Sequence, residues 1–289
     1  MFQQKSYQTQ VSGTLYLVPT PIGNLDDMTL RSCKLLKECD LIASEDTRNT
    51  QKLLNHIDSQ VPQMSLHEHN YRERVPQLIK LLKDGKTIAQ VSDAGMPSIS
   101  DPGHELVVAC IQEQIPVVAV PGPTAGLTAL IASGLTPQPH YFYGFLPRKK
   151  KKQVEELQKL VDQVATLIFY ESPYRVAATL EAMRMVFGGE RQVVICRELT
   201  KIHEEYIRGS IDELCEYLQE TVLKGECCLL VAGKLEEEPI LAEYSLEDGL
   251  EMIATRVAAG TKATKAIKEV AKETGLSRQE LYSAYHQEE

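Results

Sequence analysis

The sequence predicts an α/β protein: two α/β domains followed by a small C-terminal helical tail. Three observations carry this. Short apolar runs alternate with amphipathic stretches over most of the chain, the pattern of βαβ units. Three loops dense in Gly, Pro, Asp and Ser follow strand-like runs, where parallel sheets hold their ligands. Beyond an acidic stretch at Glu236, Glu237 and Glu238, ended by Pro239, only helix-period spacing remains.

Taken in order, residues 15–18 (LYLV) read as a buried strand and 29–39 as a helix. Residues 40–44 (DLIAS) are the next strand, followed by a helix-like TQKLLNHI at 50–57. MSLHEH (64–69), VPQLIKLLK (75–83), TIAQVSD (87–93), ELVVACIQEQ (105–114) and PVVAVPG (116–122) continue the alternation, which implies a largely parallel sheet. In the second half, YFYGFL (141–146) and ATLIFYES (165–172) read as strands. A helix-like RKKKKQVEELQKLVDQ lies between them. PYRVAATLEAMRMVFG follows as a helix with Pro173 in its first turn. RQVVICREL and EEYIRGS are further strands, the second a candidate for antiparallel sense. The helix IDELCEYLQETVL and the strand ECCLLVAG close this half. In the tail, Gly275 stops one helix and Ser277 caps the next, in the spacing of a helix-turn-helix. The expected domains are 1–125, 126–236 and 237–289.

Composition narrows the function. With 43% hydrophobic and 25% charged residues, the chain has a globular balance rather than a disordered one. No apolar run approaches the roughly 20 residues of a membrane span, and the polar start MFQQKSYQTQVSG lacks the core of a signal peptide, so a cytoplasmic location is expected. Seven cysteines, with no CxxC, read as reduced thiols. His67 and His69 lack third and fourth ligands nearby, so no metal is expected. The net charge of -9 excludes a protein coated in basic charge; a nucleic-acid partner then depends on local patches.

Each motif has a plainer reading beside the functional one. SDAGMPSISDPG (92–103) is too long and too rich in turn residues for a passive connection, so it reads as a ligand loop. PTPIGNLDD (19–27) lacks GxGxxG and GK[ST], which counts against nicotinamide and nucleotide-hydrolase sites; Asp26 or Asp27 also suits a helix cap. PGPTAG (121–126) opens a helix with small residues, which permit close packing against either a helix or a flat ligand. In SEDTRNT, Glu45, Asp46 and Arg48 are either a cap with a solvated ion pair or the lip of a cleft. FYESPYR offers Tyr170, Glu171, Tyr174 and Arg175 for stacking, proton transfer and phosphate contact, or equally a helix start. Arg148, Lys149, Lys150, Lys151 and Lys152 are either a solvated face or a phosphate-attracting patch, to which Arg175, Arg197 and Lys201 add in the same half.

Taken together, VPTPIGNLDDMTLRS, SEDTR, SDAGMPSISDPG, VPGPTAGLTALIASG, GFLPRKK, FYESPYR and RELTKIHEE resemble the methyltransferase I family of ribosomal RNA small-subunit enzymes, within the tetrapyrrole-methylase superfamily. The resemblance runs from about Gly13 to Gly233. It implies the class III methyltransferase fold with S-adenosylmethionine in a cleft between the two α/β domains. It also implies a homodimer, and 2'-O-methylation of a cytidine in the decoding region of 16S rRNA. Cofactor contacts implied by the resemblance are Pro19, Thr20, Pro21 and Asn24 in the first loop and Asp93, Ala94, Gly95, Met96, Pro97 and Ser100 in the second. Pro121, Gly122, Thr124 and Ala125 follow in the third, with Tyr170 and Glu171 closing the pocket. Tetrapyrrole enzymes carry a glycine-rich first loop and a GDP-like turn where this chain has PTPIGN and DAGMP, which places it on the RNA branch.

A ribose hydroxyl is a poor nucleophile while protonated, and a carboxylate in the cleft could accept its proton. Glu45, Asp46, Asp93, Asp101, Glu171 and Glu198 are candidates, and Arg48, Arg175 or Lys201 could instead lower the hydroxyl pKa. Two rival classes stand beside this reading. One is a methyltransferase of the same fold for a tetrapyrrole or other small molecule; the lysine run counts against it. The other is a DNA-binding regulator using the tail, where Lys262, Lys265, Lys268, Lys272 and Arg278 surround the turn.

Overall fold

A computed structural model describes residues 3–6, 12–100, 103–234 and 244–286. The chain forms two compact units, Met1–Lys234 and Leu235–Glu289. The acidic stretch 236–239 and Asp101 lie outside the described residues.

The first unit begins with β1 (Leu15–Leu17), α1 (Leu30–Glu38), β2 (Leu41–Ser44), α2 (Thr47–His56) and β3 (Gln63–Ser65). It continues with α3 (Tyr71–Lys83), β4 (Ile88–Val91), α4 (Gly103–Gln112) and β5 (Val117–Ala119). These five strands form one parallel sheet in the order β3-β2-β4-β1-β5. Strand residues alternate between two apolar clusters. Ile42, Ala89 and Val91 pack with Leu36 of α1 and Leu53 and Leu54 of α2. Leu15, Ala43 and Ile88 pack with Leu78 and Leu82 of α3 and Leu106 and Cys110 of α4. Because successive strand side chains point to opposite faces, α1 and α2 cover one face of the sheet and α3 and α4 the other.

This strand order matters for function. β4, β1 and β5 are neighbours, with β2 beyond β4, so the loops after β2, β4, β1 and β5 lie side by side along one sheet edge.

The second sheet of this unit is mixed. α5 (Ala125–Ser133), β6 (His140–Phe145), α6 (Lys150–Gln158), β7 (Thr166–Glu171) and α7 (Val176–Phe187) come first, then β8 (Gln192–Arg197), β9 (Glu205–Ser210), α8 (Ile211–Glu220) and β10 (Cys227–Val231). The order is β6-β7-β10-β8-β9; β6 and β7 are parallel, and every other pair is antiparallel. EEYIRGS is thus antiparallel as the sequence suggested, and β10 is antiparallel to both its neighbours, which the sequence did not signal. The helix expected from Pro173 starts at Val176, because residues 172–175 form a turn in which the Arg175 N–H donates to Ser172 O at 2.9 Å.

One face of this sheet packs Leu167, Phe169, Ile195 and Leu229 against α6, α7 and α8. The other packs Ile168, Val194, Cys196, Cys228 and Leu230 against Ala129 and Leu130 of α5. α5 therefore follows the first sheet in sequence and covers the second in space. Its ends are held from that sheet: the Gly126 N–H donates to the Tyr170 hydroxyl at 3.1 Å, while Arg208 donates to Ser133 O and Ala132 O at 3.0 and 2.7 Å. A cation at a helix C-terminus meets the unpaired carbonyls and the negative end of the dipole.

The second unit contains α9 (Leu246–Ala258), α10 (Ala263–Thr274) and α11 (Arg278–Tyr285) around Ile253, Ala266, Ile267, Val270 and Leu281. Gly275, at φ 73°, ends α10 in the left-handed conformation, and the Ser277 side chain accepts from Glu280 N to start α11. Among the described residues, no helix is long and apolar enough to cross a membrane.

Candidate functional site

The loops of the first sheet are tied to one another before any ligand is considered. Thr20 and Gly95 exchange both backbone hydrogen bonds, each at 3.0 Å, joining the loops after β1 and β4. Gly95 sits at φ 79°, and a Cβ there would lie 3.2 Å from the Ile22 side chain, so a larger residue faces strain and crowding together. Gly122 lies against the Pro19 ring, where any Cβ would collide, which lets the loops after β1 and β5 touch. Across to β2, the Asp93 N–H donates to Glu45 Oε2 at 3.1 Å, and Asp93 accepts from the Asp46 N–H and from Asn49 Nδ2.

These loops and the facing edge of the second sheet enclose a cavity of about 470 Å³, within the size range of small-molecule sites. Of the residues expected from the sequence, Glu45, Ala94, Gly95, Met96, Ser100, Thr124, Ala125, Tyr170 and Glu171 line it. Thr20, Pro21 and Asp93 instead line an adjacent 250 Å³ depression. Pro19, Asn24, Pro97, Pro121 and Gly122 line neither. Asn24 caps a 3₁₀ turn, accepting from Asp26 N at 3.0 Å, while Pro19 and Gly122 act as the loop-to-loop contact. The Gly95 N–H is already given to Thr20 O.

Asp46 and Arg48 also lie outside the cavity lining and take the plainer of their two roles. Asp46 is the N-cap of α2, accepting from Arg48 N at 2.8 Å, and its carboxylate receives Arg48 Nη2 at 2.6 Å. The Arg48 hydrogen bonds hold the Asp46 carboxyl down at about 2.

Glu171, at the end of β7, is 4% exposed. Its Oε1 accepts from Ser172 N at 2.9 Å, and its Oε2 accepts from Thr179 Oγ1 at 2.8 Å with Arg175 Nη2 at 3.4 Å. Tyr170 packs edge-on against Phe142 and Phe145, and burial raises its hydroxyl pKa.

Several lining residues escaped the sequence reading, among them Phe145, Leu199, Cys196, Glu226, Cys227 and Cys228. Antiparallel β10 starts at the edge where β7 and β8 end, pairing Cys227 with Glu171 and Cys228 with Tyr170. Glu226, Cys227 and Cys228 reach the cavity only because β10 is antiparallel, which nothing in ECCLLV signals locally. Burial pushes the thiol of Cys196 up to about 12 and that of Cys227 to about 11, so these are packing groups rather than nucleophiles.

The expected cations divide sharply. Arg197 donates to Glu205 Oε2 and Lys224 O, Lys201 pairs with Glu198 and Glu226 at 2.9 and 3.0 Å, and Arg175 donates to Pro147 O. Arg148 to Lys152 are all exposed and, among the described residues, enter no ion pair. Three of these lysines fill the first turn of α6, which has no acidic residue there and no side-chain cap. No group of three or more His, Cys, Asp or Glu able to hold a metal ion occurs among the described residues.

Residues 14–215 match the family model of the Tetrapyrrole (Corrin/Porphyrin) Methylases. The chain is 55% identical over 284 residues to a protein of Streptococcus pyogenes serotype M1 called Ribosomal RNA small subunit methyltransferase I, covering 98% of each chain. It is 49% identical to the protein of the same name from Halalkalibacterium halodurans over the full length of both, and 46% to that of Bacillus subtilis over 95% of this chain and 94% of the relative. Among solved structures, a cobalt precorrin-4 methyltransferase superposes with a TM-score of 0.58 at 18% identity, covering 76% of this chain and 94% of that one. A Thermus thermophilus uroporphyrin-III C-methyltransferase complexed with S-adenosylhomocysteine superposes at 0.54 and 19% identity, covering 77% and 98%. In fold and in sequence, the chain belongs to the tetrapyrrole methylase family.

Proposed function

We propose that this protein is an S-adenosylmethionine-dependent methyltransferase that modifies the ribose 2'-oxygen of a cytidine in the decoding region of 16S rRNA. The observation that carries the reading is the 470 Å³ cavity at the strand ends of a methylase fold. The exposed cations Arg148 to Lys152, which enter no ion pair among the described residues, lie in the same unit. The names borne by full-length relatives at 46–55% identity support rRNA as the acceptor.

The cavity suits such a cofactor chemically. Its lining includes three carboxylates, Glu45, Glu171 and Glu226, and no Lys or Arg, which complements a sulfonium and an ammonium group. Ile22, Met96, Ile99 and Leu199 supply apolar walls that exclude water. When bound, the cofactor supplies an activated methyl group. The residues of the chain then have three tasks. The loops after β1, β4 and β5, cross-tied at Thr20–Gly95 and Pro19–Gly122, hold the reactants in line, worth about 7–11 kcal/mol by effective molarity. Glu45, half-buried at the rim, accepts the proton of the ribose hydroxyl. Glu171, its oxygens engaged by Ser172 and Thr179, shapes the floor.

Arg148 to Lys152 contact phosphate; Arg175, Arg197 and Lys201 brace the loops beneath. Residues 1–125 act as the half that presents the cofactor loops, 126–236 as the half that closes the pocket, and 237–289 as an accessory tail. The enzyme works as a cytoplasmic homodimer, for which Leu127 and Ile131, one turn apart on α5 and 46% and 82% exposed, offer apolar surface. The test is mass spectrometry of 16S rRNA nucleosides from a strain lacking the gene: one 2'-O-methylcytidine should disappear, and an unchanged profile rejects the proposal. Sedimentation of the purified protein tests the dimer.

A further inference from the structure

We infer that Gln153, Thr179 and Arg175 are positioning residues that couple polyanion binding at Arg148–Lys152 to occupancy of the cavity, acting through Glu171. The inference rests on the function proposed above and deepens it.

The basic segment is anchored at both ends to one carboxylate oxygen. On its N-terminal side, Pro147 O accepts from Arg175 Nη2 at 3.2 Å, and the same Nη2 lies 3.4 Å from Glu171 Oε2. On its C-terminal side, Gln153 Nε2 donates to Thr179 Oγ1 at 2.9 Å, and Thr179 Oγ1 donates to Glu171 Oε2 at 2.8 Å. Gln153, Thr179 and Glu171 are 4%, 1% and 4% exposed. A hydroxyl has one proton to give, and Thr179 gives it to Glu171, so the Gln153 amide must be the donor. The direction of the chain is therefore settled, and in a low-dielectric interior its members polarise one another.

Glu171 stands at the other end of this chain and lines the cavity. The segment itself is poised to respond to anions. Lys150, Lys151 and Lys152 occupy the first turn of α6, where cations oppose the helix dipole and repel one another. A phosphate backbone removes that repulsion and draws the first turn of α6 into a fixed position. Gln153 and Pro147 then hold Glu171 in one arrangement, which is the arrangement a cofactor meets. By linkage, a ligand that orders Glu171 strengthens polyanion binding by the same factor.

The test is equilibrium dialysis of labelled S-adenosylhomocysteine against the full-length protein, with and without saturating small ribosomal subunits lacking the modification. The readout is the ratio of the two dissociation constants, in which changes of intrinsic affinity cancel. The wild type should show a ratio of about five or more, the lower end of ordinary coupling. Thr179→Val and Gln153→Met should each bring it below about two, and Thr179→Ser, which keeps the hydroxyl, should restore it. A role limited to holding the fold would not move this ratio. If both ligands bind and the variants keep the wild-type ratio, or the wild type shows none, the coupling is overturned while the proposed function stands. If the wild type binds neither ligand, both fall.

Discussion

In the first sheet all five strands are parallel, so every loop at the cavity edge is a strand-to-helix loop, and those after β2, β4, β1 and β5 lie in a row. The second sheet meets the cavity with mixed ends: β7 and β8 finish there, while β10 starts there. The two edges contribute differently as a result. The first supplies backbone-rich turns locked to one another through Thr20, Gly95, Pro19 and Gly122, and a rim carboxylate, Glu45. The second supplies a floor of the half-buried Tyr170 and the buried Cys196 and Cys228, and a carboxylate, Glu171, sunk in its own hydrogen bonds. Two acidic residues at strand ends look alike in sequence, and their surroundings give them different work.

The sharpest way to break this contrast is to remove each charge in turn. Glu45→Gln should lower the methyl-transfer turnover about 10²- to 10⁴-fold, the usual range for general acid–base groups, with cofactor affinity little changed. Glu171→Gln should act mainly on cofactor affinity and on stability. Turnover and calorimetry with S-adenosylhomocysteine separate the two, and equal effects on turnover would erase the distinction. The core behind the floor, on the opposite face of the same sheet, can be probed with Phe169→Ala, at a fully buried side chain of β7. Urea unfolding should show a loss of about 3–5 kcal/mol. For the first edge, Gly95→Val places a branched side chain at φ 79° against Ile22 and Pro123 O, and should weaken S-adenosylhomocysteine at least tenfold by calorimetry.

Charge reversal at Lys149–Lys152 should weaken RNA binding and flatten its salt dependence, by about 0.7 in log–log slope for each phosphate no longer neutralised. Cofactor affinity measured without RNA should stay unchanged. The smallest effect belongs to Asp46, whose carboxyl is held at about 2 by Arg48. A folded-state value below the ordinary 3.8 stabilises above that ordinary value, and the benefit is lost as pH falls through about 2. Asp46→Asn keeps a capping side chain, so its melting temperature should fall by only about a degree at neutral pH. The gap should close as pH approaches 2.

Much of the first edge was readable in advance. Gly and Pro clusters after β-like runs mark turns through local backbone chemistry, which needs no tertiary context. Gly275 and Ser277 were legible for the same reason, since a left-handed stop and a side-chain cap act within one turn. SEDTRNT was less transparent. Its two readings use the same residues, and the structure divides them, with Glu45 to the cavity and Asp46 and Arg48 to the cap of α2.

Residue order along the chain was enough to establish the βα alternation, the turn-forming loops, the helical tail and the cluster of five cations, because each depends on neighbours a few positions away. It could not establish that β10 runs antiparallel and delivers Glu226, Cys227 and Cys228 to the cavity. Nor could it show that α5 covers the second sheet, or that Gln153 and Pro147 both reach Glu171. Those contacts join residues far apart in the chain. They form only when strand pairing and helix packing bring buried polar groups close enough that each must find a partner.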